Sequence, residues 1–154
     1  MEIVGGNFDV SLCDNYSHSV IKVLADDNQR IWGLTINTNI IGKYIEHDVN
    51  SGIGIDLNPI EISETVNNSE VIPNTDPEQT KIRSNVAYIT NVRIDSDISY
   101  MGTGVKAVQW GNDKNWLTDV NIDGNIRYCK IAVDTSADCN INASLQAAQY
   151  FPEQ

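Results

Sequence analysis

Apolar and polar residues alternate one by one through much of this chain, and this spacing restricts its fold more than any other feature. Successive side chains of a β-strand point to opposite faces, so strict alternation predicts strands with one buried face. The clearest runs are Val86, Tyr88, Thr90, Val92 and Ile94, and, within a strand predicted from Arg30 to Ile40, Trp32, Leu34 and Ile36. Further strands are predicted over Phe8 to Leu12, Ser19 to Leu24, Ile53 to Leu57, Ile60 to Val66 and Val105 to Trp110.

The strongest local signal is Asp123-Gly124, which stands between two predicted strands, Trp116 to Ile122 and Asn125 to Val133. Asp and Gly tolerate the positive φ angles that a two-residue turn requires. The pair therefore predicts a tight hairpin that joins two antiparallel strands.

Helix-forming residues are scarce, and only Ala143 to Tyr150 favours a short helix, which Pro152 would end. Many short strands separated by turn residues are typical of antiparallel all-β folds. We therefore predict one β-rich domain over residues 1–154. The expected fold is an all-β antiparallel sandwich or barrel of jelly-roll or Greek-key type, with at most one short C-terminal helix. No internal repeat is predicted.

The formal net charge is −11, which argues against a nucleic-acid partner because phosphate binding depends on Lys and Arg. The first residues carry no signal-peptide pattern, and no stretch approaches the ~18 apolar residues of a membrane span. We therefore expect cytoplasmic synthesis and no membrane insertion. Cys13, Cys129 and Cys139 are expected to be reduced, packed thiols, and a Cys129–Cys139 disulfide is the alternative.

One run resembles part of a calcium loop, because Asp119, Asn121 and Asp123 supply oxygen ligands at alternate positions before Gly124. The position of the expected bidentate carboxylate is occupied by Lys130. A hairpin explains the same residues, so no cofactor is expected, and Ca²⁺ at these three residues is the alternative.

A candidate ligand site lies between Trp110 and Trp116, where two indole rings bracket a polar stretch. Trp faces stack on sugar rings, and the polar side chains Asn112, Asp113 and Asn115 could bind hydroxyl groups. The alternative is that both rings close the ends of the fold.

Residues 67–79 form the longest predicted loop, and long polar loops often contact other molecules. A neighbouring subunit is the expected partner. The interface candidates are Asn67, Asn68, Pro73, Asn74 and Pro77.

No nucleophile, base and orienting group can be assembled from the sequence, so the chain is expected not to be an enzyme. The first functional hypothesis is a structural protein that forms homo-oligomers or decorates a large assembly, such as a virion shell, a phage tail or a filament. The second is a carbohydrate-binding module of lectin type that uses Trp110 and Trp116. A small hydrolase ranks third.

Overall fold

The computed structural model describes residues 1–13, 16–25, 30–45, 48–49, 51–59, 88–108, 117–136 and 139–146. These ranges contain twelve strands and no helix. The strands are β1 Glu2–Asp9, β2 Ser19–Ala25, β3 Arg30–Ile41, β4 Tyr44–Ile45, β5 Asp48–Val49, β6 Ile53–Pro59, β7 Tyr88–Ser99, β8 Thr103–Ala107, β9 Leu117–Arg127, β10 Ile131–Thr135, β11 Cys139–Ile141 and β12 Ser144–Gln146.

Two parallel sheets account for all strands except the short antiparallel pair β4 and β5. Sheet A has the order β1-β3-β7-β9, followed by β11 and β12, which both pair with β9. Sheet B has the order β10-β8-β6-β2. From β1 to β11, apart from the pair β4 and β5, successive strands belong alternately to sheet A and sheet B, so each circuit of the chain adds one strand to each sheet. This path is a β-solenoid, in which the strand in the opposite sheet supplies the crossover that parallel neighbours require.

The register reveals an internal repeat that we had not predicted. Ile94 of β7 pairs with Ile122 of β9, and Val105 of β8 pairs with Val133 of β10. In both sheets, the paired residues of these strands are therefore 28 positions apart in the sequence. The sequences show the same spacing, TNVRIDSDI from 90 to 98 and TDVNIDGNI from 118 to 126. Stacked repeats of this kind bury a continuous core that no single repeat could form alone.

Columns of aliphatic side chains fill the space between the sheets. Ile36, Ile94 and Ile122 are fully buried and lie in register on β3, β7 and β9. Two more columns in sheet A are Leu34, Val92 and Val120, and Ile40, Ile98 and Ile126. In sheet B, Ile21, Ile55 and Val105 form the matching column. One cluster joins these residues, so both sheets share a single core.

Each long strand of sheet A has a kink at the same position. Gly33, Asn91 and Asp119 have φ angles of 73°, 54° and 54°. Gly, Asn and Asp are the residue types that adopt this left-handed region at lowest cost. The kink turns the preceding residue outwards. The residues directly before it are not buried, namely Trp32, Thr90 and Thr118, whereas the residues directly after it are buried, namely Leu34, Val92 and Val120.

The prediction of an antiparallel sandwich or barrel was wrong, because every strand pair in both large sheets is parallel. The predicted hairpin was wrong for the same reason. Asp123-Gly124 lies inside β9, opposite Asp95 and Ser96. A Cβ on Gly124 would lie 2.3 Å from the carbonyl oxygen of Ser96. Glycine is therefore required here by the close approach of the neighbouring strands β7 and β9, together with its φ of 91°.

The predicted C-terminal helix and the predicted packing of Cys13 also need correction. The predicted helix from Ala143 to Tyr150 begins instead as strand β12, and residues 147–154 lie outside the described residues. The predicted strand from Ile60 to Val66 also lies outside them. Cys13 is exposed rather than packed. All three cysteines are free in the structure, and their redox state stays a prediction. Burial raises the pKa of the Cys129 thiol to about 11.

Candidate functional site

The outer face of sheet A carries the polar side chains that alternate with the buried columns. One row runs across four strands as Asn7, Asn39, Asp97 and Asn125. The Asn39 amide donates to Asn7 Oδ1 at 2.9 Å, and the Asn125 amide donates to Asp97 Oδ1 at 2.9 Å. Cross-strand pairs of this kind support the register. The row therefore presents a fixed set of amide and carboxylate groups to solvent.

A second row contains the arginine of β7. Arg93 lies opposite Asn121, and its Nε is 3.5 Å from Asp123 Oδ2. Its terminal nitrogen Nη2 is 3.8 Å from Asp95 Oδ2. The Arg93 charge is thus balanced by two carboxylates of the same face.

A surface cleft of about 350 Å³ lies where the strands of sheet A begin. We call it the aromatic cleft, and it is lined by Arg30, Trp32, Tyr88, Thr90 and Thr118. Trp32 pairs with Thr90, which pairs with Thr118, and the two Thr hydroxyls are 2.9 Å apart. Arg30 pairs with Tyr88, and its guanidinium carbon is 5.3 Å from the centre of the Tyr88 ring. The Trp32 side chain is 72% exposed, although Trp is among the more buried residue types on average.

A polar cleft of about 270 Å³ opens further along the same face. It is lined by Gly5, Gly6, Asn37, Thr38, Asn39, Asp95 and Asp97. Gly5 and Gly6 both have a φ of 84° and produce a register shift between β1 and β3. This bulge lies directly before Asn7, which is the β1 member of the row of amides and carboxylates.

The sequence-predicted ligand residues Trp110, Asn112, Asp113, Asn115 and Trp116 lie outside the described residues. Along the chain, segment 109–116 leads directly into β9, whose second residue, Thr118, lines the aromatic cleft. That site stays a prediction.

The interface candidates are also untested. Asn67, Asn68, Pro73, Asn74 and Pro77 lie outside the described ranges. They belong to segment 60–87, which connects β6 to β7.

The calcium hypothesis assumed a loop, and its residues are found in strand β9 instead. Asp119, Asn121 and Asp123 alternate there with the buried Val120 and Ile122. Asn121 accepts a hydrogen bond from Asn140 at 3.2 Å, and Asp123 contacts Arg93. No group of three or more His, Cys, Asp or Glu side chains suited to a metal occurs within the described residues. Calcium binding stays a prediction, without the wrapping loop from which it was inferred.

Sequence reasoning missed the aromatic cleft because it placed Trp32 on the same face as Leu34 and Ile36. In a regular strand, residues two apart share a face. The left-handed kink at Gly33 changes this phase and turns Trp32 outwards. The signal that could have revealed this kink is the occurrence of Gly, Asn or Asp at the same position of β3, β7 and β9.

Comparison with protein-family models, curated proteins and solved structures found no match. The described residues contain no helix that is long and apolar enough to cross a membrane. A functional inference therefore depends on the geometry of the outer face of sheet A.

Proposed function

We propose that the protein is a carbohydrate-binding β-solenoid that holds a glycan on the outer face of sheet A. The observation that carries this proposal is the exposed indole of Trp32 in the aromatic cleft. An aromatic face beside hydrogen-bonding groups is the combination that binds the apolar face and the hydroxyls of a sugar ring.

The groups that would hold the sugar lie on three adjacent strands. Trp32 provides the stacking surface, and Thr90 and Thr118 provide hydroxyl groups that both donate and accept. Their backbones are fixed by the parallel ladder, in which neighbouring strands lie about 4.8 Å apart. A site on such a rigid support loses little entropy on binding, which favours affinity.

The polar cleft supports an elongated ligand. Asn39 lies seven residues beyond Trp32 on β3, which corresponds to roughly 23 Å at about 3.3 Å per residue. The intervening outer face contains Thr35 and Asn37. A glycan that runs along the strands would therefore meet hydrogen-bonding groups from one cleft to the other.

The test is a glycan array followed by calorimetry with the parent protein and Trp32→Ala. We expect at least about tenfold weaker binding for Trp32→Ala, because an aromatic stacking partner is lost. Ile131→Ala is the matched control, since Ile131 is an exposed apolar residue of sheet B. Equal binding by Trp32→Ala and the parent would refute the proposal, as would an array without any bound glycan.

We propose self-association as a second candidate function, which preserves the hypothesis of a structural subunit. It is favoured by a row of alternating charge across sheet B, in which Asp56 is itself buried. Lys22 pairs with Asp56, Asp56 with Lys106, and Lys106 with Asp134. Lys22 therefore lies at one edge of sheet B and Asp134 at the other. A second copy stacked head to tail would continue the alternation, with Asp134 opposite the Lys22 of its neighbour.

The apolar columns of sheet A support the same stacking. The column of Ile40, Ile98 and Ile126 ends at Phe8 on β1 and at Leu145 on β12. Phe8 is 36% and Leu145 is 47% exposed. Within the described ranges, β1 pairs only with β3, and β12 pairs only with β9. Open parallel edges with exposed apolar ends favour heterologous, filament-like contacts.

A charge exchange tests this second candidate by light scattering. Lys22→Glu and Asp134→Lys should each reduce the assembled mass, because like charges would then face one another. The double variant keeps the net charge of −11 and should restore assembly. A parent protein that stays monomeric at all salt concentrations would refute self-association, and so would a double variant that assembles no better than the single ones.

A further inference from the structure

The aromatic cleft differs in charge from the rest of the molecule. The chain has 21 acidic and 10 basic residues. Yet among the described residues that line the cleft there is no carboxylate, and Arg30 is the only charged one. The polar cleft on the same face shows the opposite arrangement, since its described lining contains Asp95 and Asp97 and no cationic side chain.

No carboxylate of the described residues forms an ion pair with Arg30. Within the part of the chain that the structure describes, Arg30 contacts the Tyr88 ring, and the two ion pairs both belong to Arg93. Stacking on an aromatic ring leaves the edge of a guanidinium group free to donate hydrogen bonds. Arg93, by comparison, is held between Asp95 and Asp123.

The position of Arg30 relative to Trp32 is set by the strand. The two residues are separated by one position before the kink at Gly33, so both side chains project from the same outer face. A ring stacked on Trp32 would thus place its substituents within reach of the guanidinium group. Because an arginine fork matches a carboxylate with two parallel hydrogen bonds, an anionic sugar fits this site better than a neutral one.

We propose that the aromatic cleft selects glycans with a carboxylate group, such as hexuronic acids, and that Arg30 is the residue that determines this specificity. This inference rests on the proposed glycan-binding function. The negative net charge does not oppose it at short range, because charges more than about 8 Å away are largely screened at physiological ionic strength.

The experiment compares two probes of equal length, a β-1,4-linked oligosaccharide of glucuronic acid and the corresponding oligosaccharide of glucose. We expect the parent protein to bind the acidic probe about tenfold more tightly, and this preference to decrease as salt is added. Arg30→Gln should remove the preference, so that this variant binds the acidic and the neutral probe with equal affinity. Arg30→Lys should keep part of it, since the charge remains without the planar fork.

Arg93→Gln is the matched control, because it removes the same charge from the same face of the sheet. A preference reduced equally by Arg93→Gln and Arg30→Gln would overturn the role of Arg30 and indicate a general electrostatic effect. Equal affinity for both probes, with loss of binding in Trp32→Ala, would overturn the inference and leave the proposed function standing. If neither probe binds and the array is also blank, both the inference and the proposed function fail.

Discussion

Replacement of Gly124 by alanine tests how closely the neighbouring strands β7 and β9 approach one another. In the structure, the added Cβ would lie 2.3 Å from the Ser96 carbonyl oxygen and 2.7 Å from the Ser96 nitrogen. Both atoms belong to the backbone of β7, so they cannot move without displacing the strand. In a hairpin turn, by contrast, the same residue would point into solvent.

Two costs contribute to the effect of Gly124→Ala. A left-handed φ costs a residue with a Cβ about 1–2 kcal/mol. Overpacking against a fixed neighbour adds about 1–3 kcal/mol. Gly5→Ala is the matched control, because Gly5 has a similar φ of 84° but no atom within 4 Å of the added Cβ. Its cost should therefore stay within the conformational part, about 1–2 kcal/mol.

Urea denaturation followed by circular dichroism measures the difference. With a slope of roughly 1–3 kcal/mol per molar urea, Gly124→Ala should lower the midpoint by roughly 1 M or more. The decrease for Gly5→Ala should be clearly smaller. If both variants lower the midpoint equally, the contact between Gly124 and Ser96 contributes nothing and the packing of β7 on β9 described above is wrong.

Three further predictions concern the core, the cleft and the buried thiol. Ile98→Ala should lower the free energy of unfolding in urea by about 2–5 kcal/mol, because Ile98 is fully buried between two neighbouring isoleucines. A loss below about 1 kcal/mol would contradict the packing of Ile98 in its column of buried side chains. Trp32→Ala should change stability in the same assay by less than about 0.5 kcal/mol, since the ring is exposed; a larger loss would mean that Trp32 is structural. The pKa of Cys129 rises from 9.0 to about 11 on burial, so only the unfolded thiol ionises between these values, and stability should be constant below pH 9 and decrease towards pH 11. Cys129→Ala should lack that decrease when unfolding is measured at pH 8 and pH 10.5, and an unchanged slope would contradict the assignment.

The strands themselves could be predicted from alternation. The predicted segment from Arg30 to Ile40 corresponds to β3, and that from Ser19 to Leu24 corresponds to β2. Their direction could not be predicted, because alternation is the same in parallel and antiparallel strands. Parallel sheets are usually covered on both faces by helices, so their strands tend to be apolar throughout. Here a second sheet covers one face only, and the polar outer face gave the appearance of an antiparallel sheet.

The site could be predicted only in its chemical character. Aromatic residues next to polar ones suggested sugar binding, but the suggestion fell on Trp110 and Trp116 instead of Trp32. The exposure of Trp32 depends on the backbone kink at Gly33, and a pattern of period two contains no information about such a kink. The contact of the Arg30 guanidinium with the Tyr88 ring depends on strand pairing across a connection of more than fifty residues, which no local pattern specifies.

Nuclear Overhauser contacts between backbone protons of β7 and β9 measure the parallel stacking most directly. For a solenoid, we expect contacts between residues 28 positions apart, such as Val92 with Val120 and Ile98 with Ile126. Contacts that instead pair Ile122 with Asn125, and so on outwards from Asp123-Gly124, would indicate an antiparallel hairpin. That result would contradict the fold and, with it, the cleft on which both binding proposals depend.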